Sequence, residues 1–149
     1  MIRDHSDKPL MLLFMHIGKL LQERLRGSLS EGGIHFGQAR ILVALLRHDQ
    51  LTQGTIGRRL DIKPATVTNL VKKLEASGLI DRRQDANDDR IMNVTLTAKG
   101  REAANFAVSV MEQVEDDIRS ELTQKEIGTL RDPLLRVRNS LGGSDPGIV

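Results

Sequence analysis

The sequence predicts a mainly α-helical protein with one small β element. Apolar residues recur at three- and four-residue steps through most of the chain, which is the spacing of amphipathic helices. Residues 79–96 instead show two short runs of strand formers around a polar loop. Between Gln53 and Gly100 the order is short helix, turn, helix and hairpin. That order predicts a winged helix-turn-helix lobe, with further helices on either side of it.

The 149 residues suit one protomer, and a hydrophobic fraction of 39% is enough to form a core. We expect residues 36–100 to form the winged helix-turn-helix lobe, and residues 9–27 and 101–141 to form helices outside it. The formal net charge is only +2. Residues 51–100, however, carry nine Lys and Arg against six acidic side chains, and the residues after them carry six against nine. The positive charge therefore lies where the motif lies.

Two helices are predicted before the motif, over residues 9–27 and 36–48, with a break at Glu31-Gly32-Gly33 between them. The apolar face of the first helix is wide enough to indicate burial against more than one neighbour. Two further helices are predicted after the motif, over residues 97–119 and 123–141.

The last of these helices has the apolar spacing of a seam that packs against a partner. A symmetric second copy of the chain is the commonest partner for such a seam. Pro133 lies inside it and predicts either a kink or the start of a new segment. The seam consists of Ile127, Leu130, Leu134, Val137 and Leu141.

The helix-turn-helix begins at Thr52, whose side chain suits the cap of a helix. The first helix is predicted to end near Leu60, and Gly57 within it predicts close packing of the second helix. Residues 61–63 form the turn, and Pro64 suits the first position of the next helix. The second helix is predicted over residues 64–77, with a buried stripe formed by Val67, Leu70, Val71 and Leu74.

The exposed side of the second helix carries side chains that suit the major groove of B-DNA, into which an α-helix fits. Small side chains allow close approach, hydroxyls can bond to base edges, and Asn69 can pair with the edge of an adenine. Two lysines further along suit phosphates, which position a protein without reading sequence. Because any exposed helix face is polar, this interpretation depends on the neighbouring turn and hairpin. The predicted DNA-contacting residues of this helix are Pro64, Ala65, Thr66, Thr68, Asn69, Lys72 and Lys73.

The hairpin after this helix has an acidic loop at its tip, and we interpret it as a wing. Arg90 beside the loop is expected to enter a minor groove, where the potential is most negative. Asp88 is expected to hold the Arg90 guanidinium in a bidentate fork. The alternative is a surface ion pair of little consequence. Arg82 and Arg83 on the first strand either contact phosphates or face solvent.

The composition argues against several classes of function. Without cysteine the chain forms no disulfide or thiolate metal site, and its four scattered histidines predict no metal site, so no cofactor is expected. No apolar run approaches the roughly 18 residues that a membrane span needs. The apolar start of the first helix lacks a signal-peptide cleavage site, which predicts a cytoplasmic protein without a membrane partner. No nucleophile triad, phosphate-binding glycine loop or carboxylate pair is present, so no enzyme is predicted.

Taken together, these residues resemble the MarR family of bacterial transcription regulators over roughly residues 9–141. The family often has a second arginine where this wing has Asp89, and commonly has alanine where Gly57 stands. The resemblance is carried by Leu51-Thr52-Gln53, by residues 60–68 and 70–80, by the wing pattern Asp88-x-Arg90, and by Leu96-Thr97 with Gly100.

The resemblance implies an obligate homodimer, in which the first helix and the last two helices of both chains, residues 9–27 and 101–141, form a helical dimerisation region. Leu10 and Phe14 are the expected contacts of the first helix. The resemblance also implies a pseudo-palindromic double-stranded DNA operator, bound by a repressor that an effector releases. The two recognition helices would then lie about 34 Å apart to meet successive major grooves.

In many members of the family a small anionic or aromatic molecule binds between the DNA-binding lobe and the dimer region. Met11, Met15, His16 and Arg40 are the residues here that are expected to line such a space, because the first two helices should border it. The alternative is that the methionines belong to the core and that the histidine is hydrogen-bonded within the fold.

A second use of the same fold stays open, namely a winged-helix protein-interaction module without DNA contact. The basic side chains of Lys72, Lys73 and Arg90 argue against it. Binding to duplex DNA that falls steeply with salt would separate the two functions.

Overall fold

The computed structural model describes residues 9–143 and confirms the predicted fold class, a mainly helical chain with a small β element. The ends of the chain, residues 1–8 and 144–149, lie outside the described range. The described elements are, in chain order, α1 (Leu10–Glu31), α2 (Phe36–Arg47), β1 (Gln50–Thr52), α3 (Gln53–Leu60), α4 (Pro64–Ala76), β2 (Ile80–Gln84), β3 (Met92–Leu96), α5 (Ala98–Ser120) and α6 (Gln124–Ser140).

Helix α1 reaches Glu31, whereas the sequence pattern predicted an end at residue 27. The extra turn is stabilised by Leu29, whose side chain is completely buried. The helix ends at Gly32, whose N–H donates to the Leu29 carbonyl oxygen at 3.0 Å, and the chain turns at Gly33 with φ +70. The break predicted at Glu31-Gly32-Gly33 is confirmed, and the burial of Leu29 extends the helix up to it.

The sheet contains a third strand that the sequence pattern did not predict. β1 pairs with β3 and β3 pairs with β2, both antiparallel, so the strand order is β1-β3-β2. Val94 in the central strand pairs with Leu51 on one side and with Arg82 on the other. Three residues are too few to show the alternation of apolar and polar side chains that marks a strand, so the sequence pattern did not predict β1. The strand joins the start of α3 directly to the wing, because Thr52 pairs with Asn93 of β3.

The core lies between α2, α3, α4, the sheet and the first half of α5. Helix α2 is central, because Ile41, Leu42 and Leu45 are completely buried. The close approach of α5 to the end of α4 requires Gly100. A Cβ atom at that position would lie only 1.7 Å from the Leu79 carbonyl oxygen.

Helix α6 continues through Pro133 to Ser140, so this proline does not start a new segment. Pro133 removes one backbone hydrogen bond, and the remaining hydrogen bonds are enough to keep the helix continuous. Within the described part of the chain, no residue of α6 is buried. This helix therefore presents its apolar side chains outward from the single protomer.

Candidate nucleic-acid interface

The turn between α3 and α4 is built by short-range hydrogen bonds. Thr52 caps α3 as predicted, since its hydroxyl accepts a hydrogen bond from the Thr55 N–H at 3.1 Å. After α3 the chain takes a left-handed conformation at Asp61, with φ +51. The Ile62 N–H then donates to the Gly57 carbonyl oxygen at 2.9 Å. These bonds reverse the chain within three residues and set the angle between the two helices.

Gly57 allows the turn to close. A Cβ atom there would lie 3.1 Å from the Ile62 carbonyl oxygen and 3.4 Å from Val67 Cγ2. The first distance is tighter than normal packing and the second is an ordinary contact, so a methyl group would fit only if the turn moved by a few tenths of an ångström, and a larger side chain would separate α3 from α4. The predicted role of Gly57 in close helix packing is confirmed.

The first turn of α4 has free hydrogen-bond donors. Pro64 occupies its first position as predicted, and the preceding Lys63 makes no side-chain capping bond. The N–H groups of Ala65 and Thr66 precede the first helical hydrogen bond, so they have no partner within the helix. Both residues are exposed. This end of α4 combines free N–H groups with the positive end of the helix dipole, which suits a phosphate.

The exposed face of α4 is the predicted one. Val67, Val71 and Leu74 are buried, whereas Asn69 is exposed. The remaining exposed positions on this face form a surface of small and basic side chains, Ala65, Thr66, Lys72 and Lys73.

Thr68 differs from its neighbours because it is only half-exposed. Its hydroxyl donates to the Pro64 carbonyl oxygen at 3.0 Å and accepts a hydrogen bond from the Gln53 amide nitrogen at 3.4 Å. The Thr68 proton is thus used inside the protein, which leaves this side chain only as an acceptor towards a ligand. The Gln53 Oε1 atom is buried without a partner in the described structure. The sequence named Gln53 only as part of the family motif, and no local pattern indicates its contact with Thr68, fifteen positions away.

The wing carries Arg90 at its tip in a defined conformation. Its Nε donates to Asp88 Oδ1 at 3.1 Å and its Nη2 to Asp88 Oδ2 at 3.3 Å, while its backbone N–H also reaches Asp88 Oδ1. The predicted bidentate fork is confirmed. Because the Arg90 side chain and then the Arg90 N–H bond to the carboxylate, the pKa of Asp88 is held below its ordinary value. The Arg90 side chain is 90% exposed, so the fork orders it without covering it.

The rest of the wing loop is also hydrogen-bonded. Asp85 accepts from the Asn87 N–H at 2.9 Å and from Asn93 Nδ2 at 3.2 Å, and these bonds lower the pKa of its carboxyl. Gln84 Nε2 donates to the Asp89 carbonyl oxygen at 3.1 Å. The long acidic loop is therefore an ordered tip, in which the side chains of Asp85 and Asp88 serve as acceptors for N–H groups of the loop backbone.

Arg82 is paired within the fold and does not simply face solvent, which was one of the two possibilities that the sequence left open. Its side chain is only 22% exposed, and Nη2 lies 3.1 Å from Glu75 Oε2 on α4. Its Nε is buried without a partner in the described structure. Arg83, the next residue on β2, is exposed as expected for the opposite face of a strand. The alternation of a strand could distinguish the two arginines, but it could not indicate that Glu75 faces Arg82.

Arg40, one of the four predicted effector-site residues, is occupied within the fold. Its Nη2 donates to the Leu60 carbonyl oxygen at 2.6 Å, and its guanidinium lies 5.9 Å from the centre of the Phe36 ring. Burial lowers the pKa of Arg40, and nearby Asp61 partly opposes that shift. Met11, Met15 and His16, by contrast, are exposed on α1. The alternative that these methionines belong to the core is wrong for the single protomer.

The predicted dimer contacts are exposed or half-exposed in the protomer. Leu10 is 72% exposed, Leu141 is 83% exposed, and Ile127 is half-exposed. The side chains of Phe14, Leu130, Leu134 and Val137 are exposed to between 36% and 41%. Helix α6 and α5 form a groove of about 290 Å³. Its apolar lining is formed by Ile118, Leu122, Ile127, Leu130, Leu134 and Leu135.

Over residues 9–143, no three His, Asp or Glu side chains lie close enough together to hold a metal ion. No helix in the same range combines the length and the apolar character that a membrane crossing requires.

An exposed polar helix after a tight turn, beside a hairpin that carries an ordered arginine, defines a winged helix-turn-helix protein of the DNA-binding class. The sequence model of the MarR family matches residues 32–91. The chain belongs to the MarR family of transcriptional regulators, a family of DNA-binding regulators rather than enzymes. The resemblance found in the sequence is thereby confirmed.

Individual relatives agree with this assignment. The HTH-type transcriptional regulator YdgJ of Bacillus subtilis is 30% identical over 109 residues, which are 73% of this chain and 66% of YdgJ. The HTH-type transcriptional repressor Rv2887 of Mycobacterium tuberculosis is 26% identical over 118 residues, 79% of this chain and 85% of that protein. The crystal structure of the S. aureus MepR–DNA complex is similar with a TM-score of 0.85 and 29% identity, over 90% of this chain and 99% of that chain.

Proposed function

We propose that the chain acts in the cytoplasm as a homodimeric repressor that binds a pseudo-palindromic DNA operator and is released by a small-molecule effector. The observation that best supports this function is the pairing of two surfaces. One is the exposed face of α4 around Asn69. The other is the wing tip, where Asp88 orders an exposed Arg90. A repressor among the relatives and the DNA complex of MepR point in the same direction.

The two surfaces suit different parts of a duplex. The α4 face, from Ala65 to Lys72, suits the major groove, in which Asn69 can bond to the N6 and N7 atoms of adenine. Lys72 and the free N–H groups at the start of α4 suit phosphates. Arg90 suits the adjacent minor groove, because its guanidinium is exposed on the loop of the wing.

A homodimer is the arrangement that best accounts for the apolar surface of α1 and α6. Leu10 and Leu141 are almost fully exposed in the protomer, and the seam of α6 has no buried residue in the described chain. Contiguous apolar surface of this kind is rare on monomers and common at subunit interfaces. A two-fold axis through this region would present two copies of α4 to successive major grooves.

The proposed small-molecule effector has two possible binding sites. One is the predicted group on α1, Met11, Met15 and His16, which is exposed in the protomer. The other is a cleft of about 730 Å³ between α2, α4 and α5, whose polar lining includes Gln38, Lys73 and Lys99. A ligand in that cleft would contact the DNA-reading helix and the following long helix at once, and its volume suits a small molecule.

The first experiment is a selection of random duplex DNA by the purified protein, followed by binding titrations at two salt concentrations. We expect a two-fold symmetric sequence with half-sites about one helical turn apart, and affinity that falls steeply with salt. Arg83→Ala serves as a matched arginine control for Arg90→Ala, and we expect the larger loss for Arg90→Ala. The absence of any enriched sequence, with weak binding that salt does not change, would instead favour the protein-interaction module.

The effector is tested on the operator complex with a panel of aromatic carboxylates. Release of DNA by one of them, abolished by Lys99→Ala but not by Met15→Ala, would support the cleft. The reverse pattern would support the α1 group. If none of the compounds shifts the operator titration, release by aromatic anions is rejected.

A further inference from the structure

Glu75 and Arg82 form a half-buried ion pair between the DNA-reading helix and the wing. Arg82 Nη2 lies 3.1 Å from Glu75 Oε2, with the two side chains 22% and 40% exposed. Glu75 is in the last turns of α4, and Arg82 is in the middle of β2. The other Arg–carboxylate pair at the wing, Arg90 with Asp88, joins residues of the same hairpin. The Glu75–Arg82 pair, in contrast, crosses between two structural elements.

The position of the pair connects the two proposed DNA-contacting surfaces. Asn69 lies on the same helix as Glu75, fewer than two turns away. β2 leads from Arg82 into the loop that carries Arg90. A change in the angle between α4 and β2 therefore moves Arg90 relative to Asn69. Since the grooves of a duplex are at fixed positions, both contacts form together only over a narrow range of that angle.

The pair can hold such an angle because it is a half-buried contact between opposite charges on two elements. Separating the two elements would leave each charge unpaired in a partly desolvated site, which is unfavourable. The Nε atom of Arg82 is buried without a partner in the described structure, so Nη2 makes the contact with Glu75. On the sheet, Arg82 is held opposite Val94, whose other neighbour is Leu51 at the entrance to α3.

We propose that the Glu75–Arg82 pair is a positioning device that sets the wing relative to the DNA-reading helix, so that both reach the operator at the same time. The proposal rests on the proposed function, because it gives the pair a role in operator binding. Neither side chain needs to touch DNA. Arg82, which the sequence suggested as a phosphate contact, acts here through Arg90.

The test is a double-mutant cycle on the full-length protein with Glu75→Gln and Arg90→Ala. Glu75→Gln keeps the size of the side chain and removes its charge. We expect about a tenfold loss of operator affinity from Glu75→Gln alone and a larger loss from Arg90→Ala alone. If the pair acts by placing Arg90, the double variant should bind no worse than Arg90→Ala, because there is no wing contact left to misplace.

Two further variants separate positioning from general stability. Glu23→Gln removes a carboxylate that pairs with Lys19 inside one helix, and it should leave operator affinity unchanged. The exchange of both charges, Glu75→Arg with Arg82→Glu, should recover part of the lost affinity. A hydroxyl-radical footprint of Glu75→Gln should lose protection where the wing lies and keep it where α4 lies.

The outcomes are distinct. Additive losses in the cycle, or a footprint that weakens evenly at both positions, would overturn the positioning role while leaving the regulator itself intact. Higher affinity and a steeper salt dependence for Glu75→Gln would show that released Arg82 contacts phosphate, which also overturns it. A wild-type protein that does not bind duplex DNA would overturn the proposed function, and the positioning role with it.

Discussion

The guanidinium of Arg40 on α2 donates a hydrogen bond of 2.6 Å to the carbonyl oxygen of Leu60, the last residue of α3. A cation at the end of a helix also interacts favourably with the helix dipole. Arg40 is therefore a structural link between α2 and the helix-turn-helix. This role competes with the effector-binding role that the sequence suggested for it.

Replacing Arg40 by alanine should lower the stability of the fold. The change leaves a backbone carbonyl without its partner, so we expect a loss of about 1–3 kcal/mol in the free energy of unfolding. Urea titration followed by circular dichroism measures it. Arg83→Ala, an exposed arginine on β2, should change stability by no more than about 0.5 kcal/mol. Equal stability of the two variants would contradict the structural role of Arg40.

Gly100→Ala should lower the stability of the fold strongly, although it adds only one methyl group. The new Cβ would overlap the Leu79 carbonyl oxygen, so α5 must move away from the end of α4. We expect a loss of about 1–3 kcal/mol or more. Gly128→Ala is the matched control, because a Cβ there meets no atom within 4 Å. In that helix the alanine should be neutral or stabilising by up to about 1 kcal/mol. Thermal melts of both variants make the comparison, and a Gly100→Ala melting temperature equal to wild type would reject the packing argument.

Asn69→Ala should alter which sequences are bound. If Asn69 pairs with one adenine, its removal should cost about 1–3 kcal/mol on the preferred operator and relax the choice at one base pair. Lys72→Ala, on the same exposed face, is the control for a phosphate contact. It should weaken all sequences about equally and lower the slope of affinity against salt. Competition titrations with single-base-pair operator variants distinguish them. An unchanged preferred sequence for Asn69→Ala would show that this residue does not read a base.

Leu134→Glu should convert dimers to monomers. The side chain lies in the middle of the α6 seam and is 40% exposed in the protomer. Burial of an unpaired carboxylate in an apolar interface is strongly unfavourable. Light scattering over a dilution series reports the mass. Gln124→Glu, at the exposed start of the same helix, adds the same charge outside the seam and should stay dimeric. A Leu134→Glu protein with the mass of a dimer would exclude this seam as the interface.

The helix-turn-helix could be predicted from the sequence because its signals are local. The capping hydroxyl of Thr52, the proline at position 64 and the spacing of Val67, Val71 and Leu74 each act within one or two turns. The fork between Asp88 and Arg90 was predictable for the same reason, since only one residue separates them.

The remaining features depend on residues that are distant in sequence or on partners in space. β1 forms because Gln50–Thr52 meets β3, about forty residues later. The partners of Thr68 and Leu60 are side chains 15 and 20 positions away. Glu75 and Arg82 are only seven positions apart, but one lies on a helix and the other on a strand. The spacing of apolar residues does not show the angle between those two elements, so it could not predict the contact. Polar positions on a helix can be identified from sequence, whereas their bonding partners require the packed structure.

The fork at the wing tip also bears on how such a protein would find its operator. Asp88 and Arg90 lie in contact, so their charges nearly cancel at distances beyond the Debye length of about 8–10 Å. If Arg90 enters a minor groove as proposed, it would add little attraction during sliding on unrelated DNA and would contribute only on close contact. The wing would then lengthen the time that the protein stays bound at the operator, whereas the exposed lysines of α4 would attract the protein to any DNA during the search.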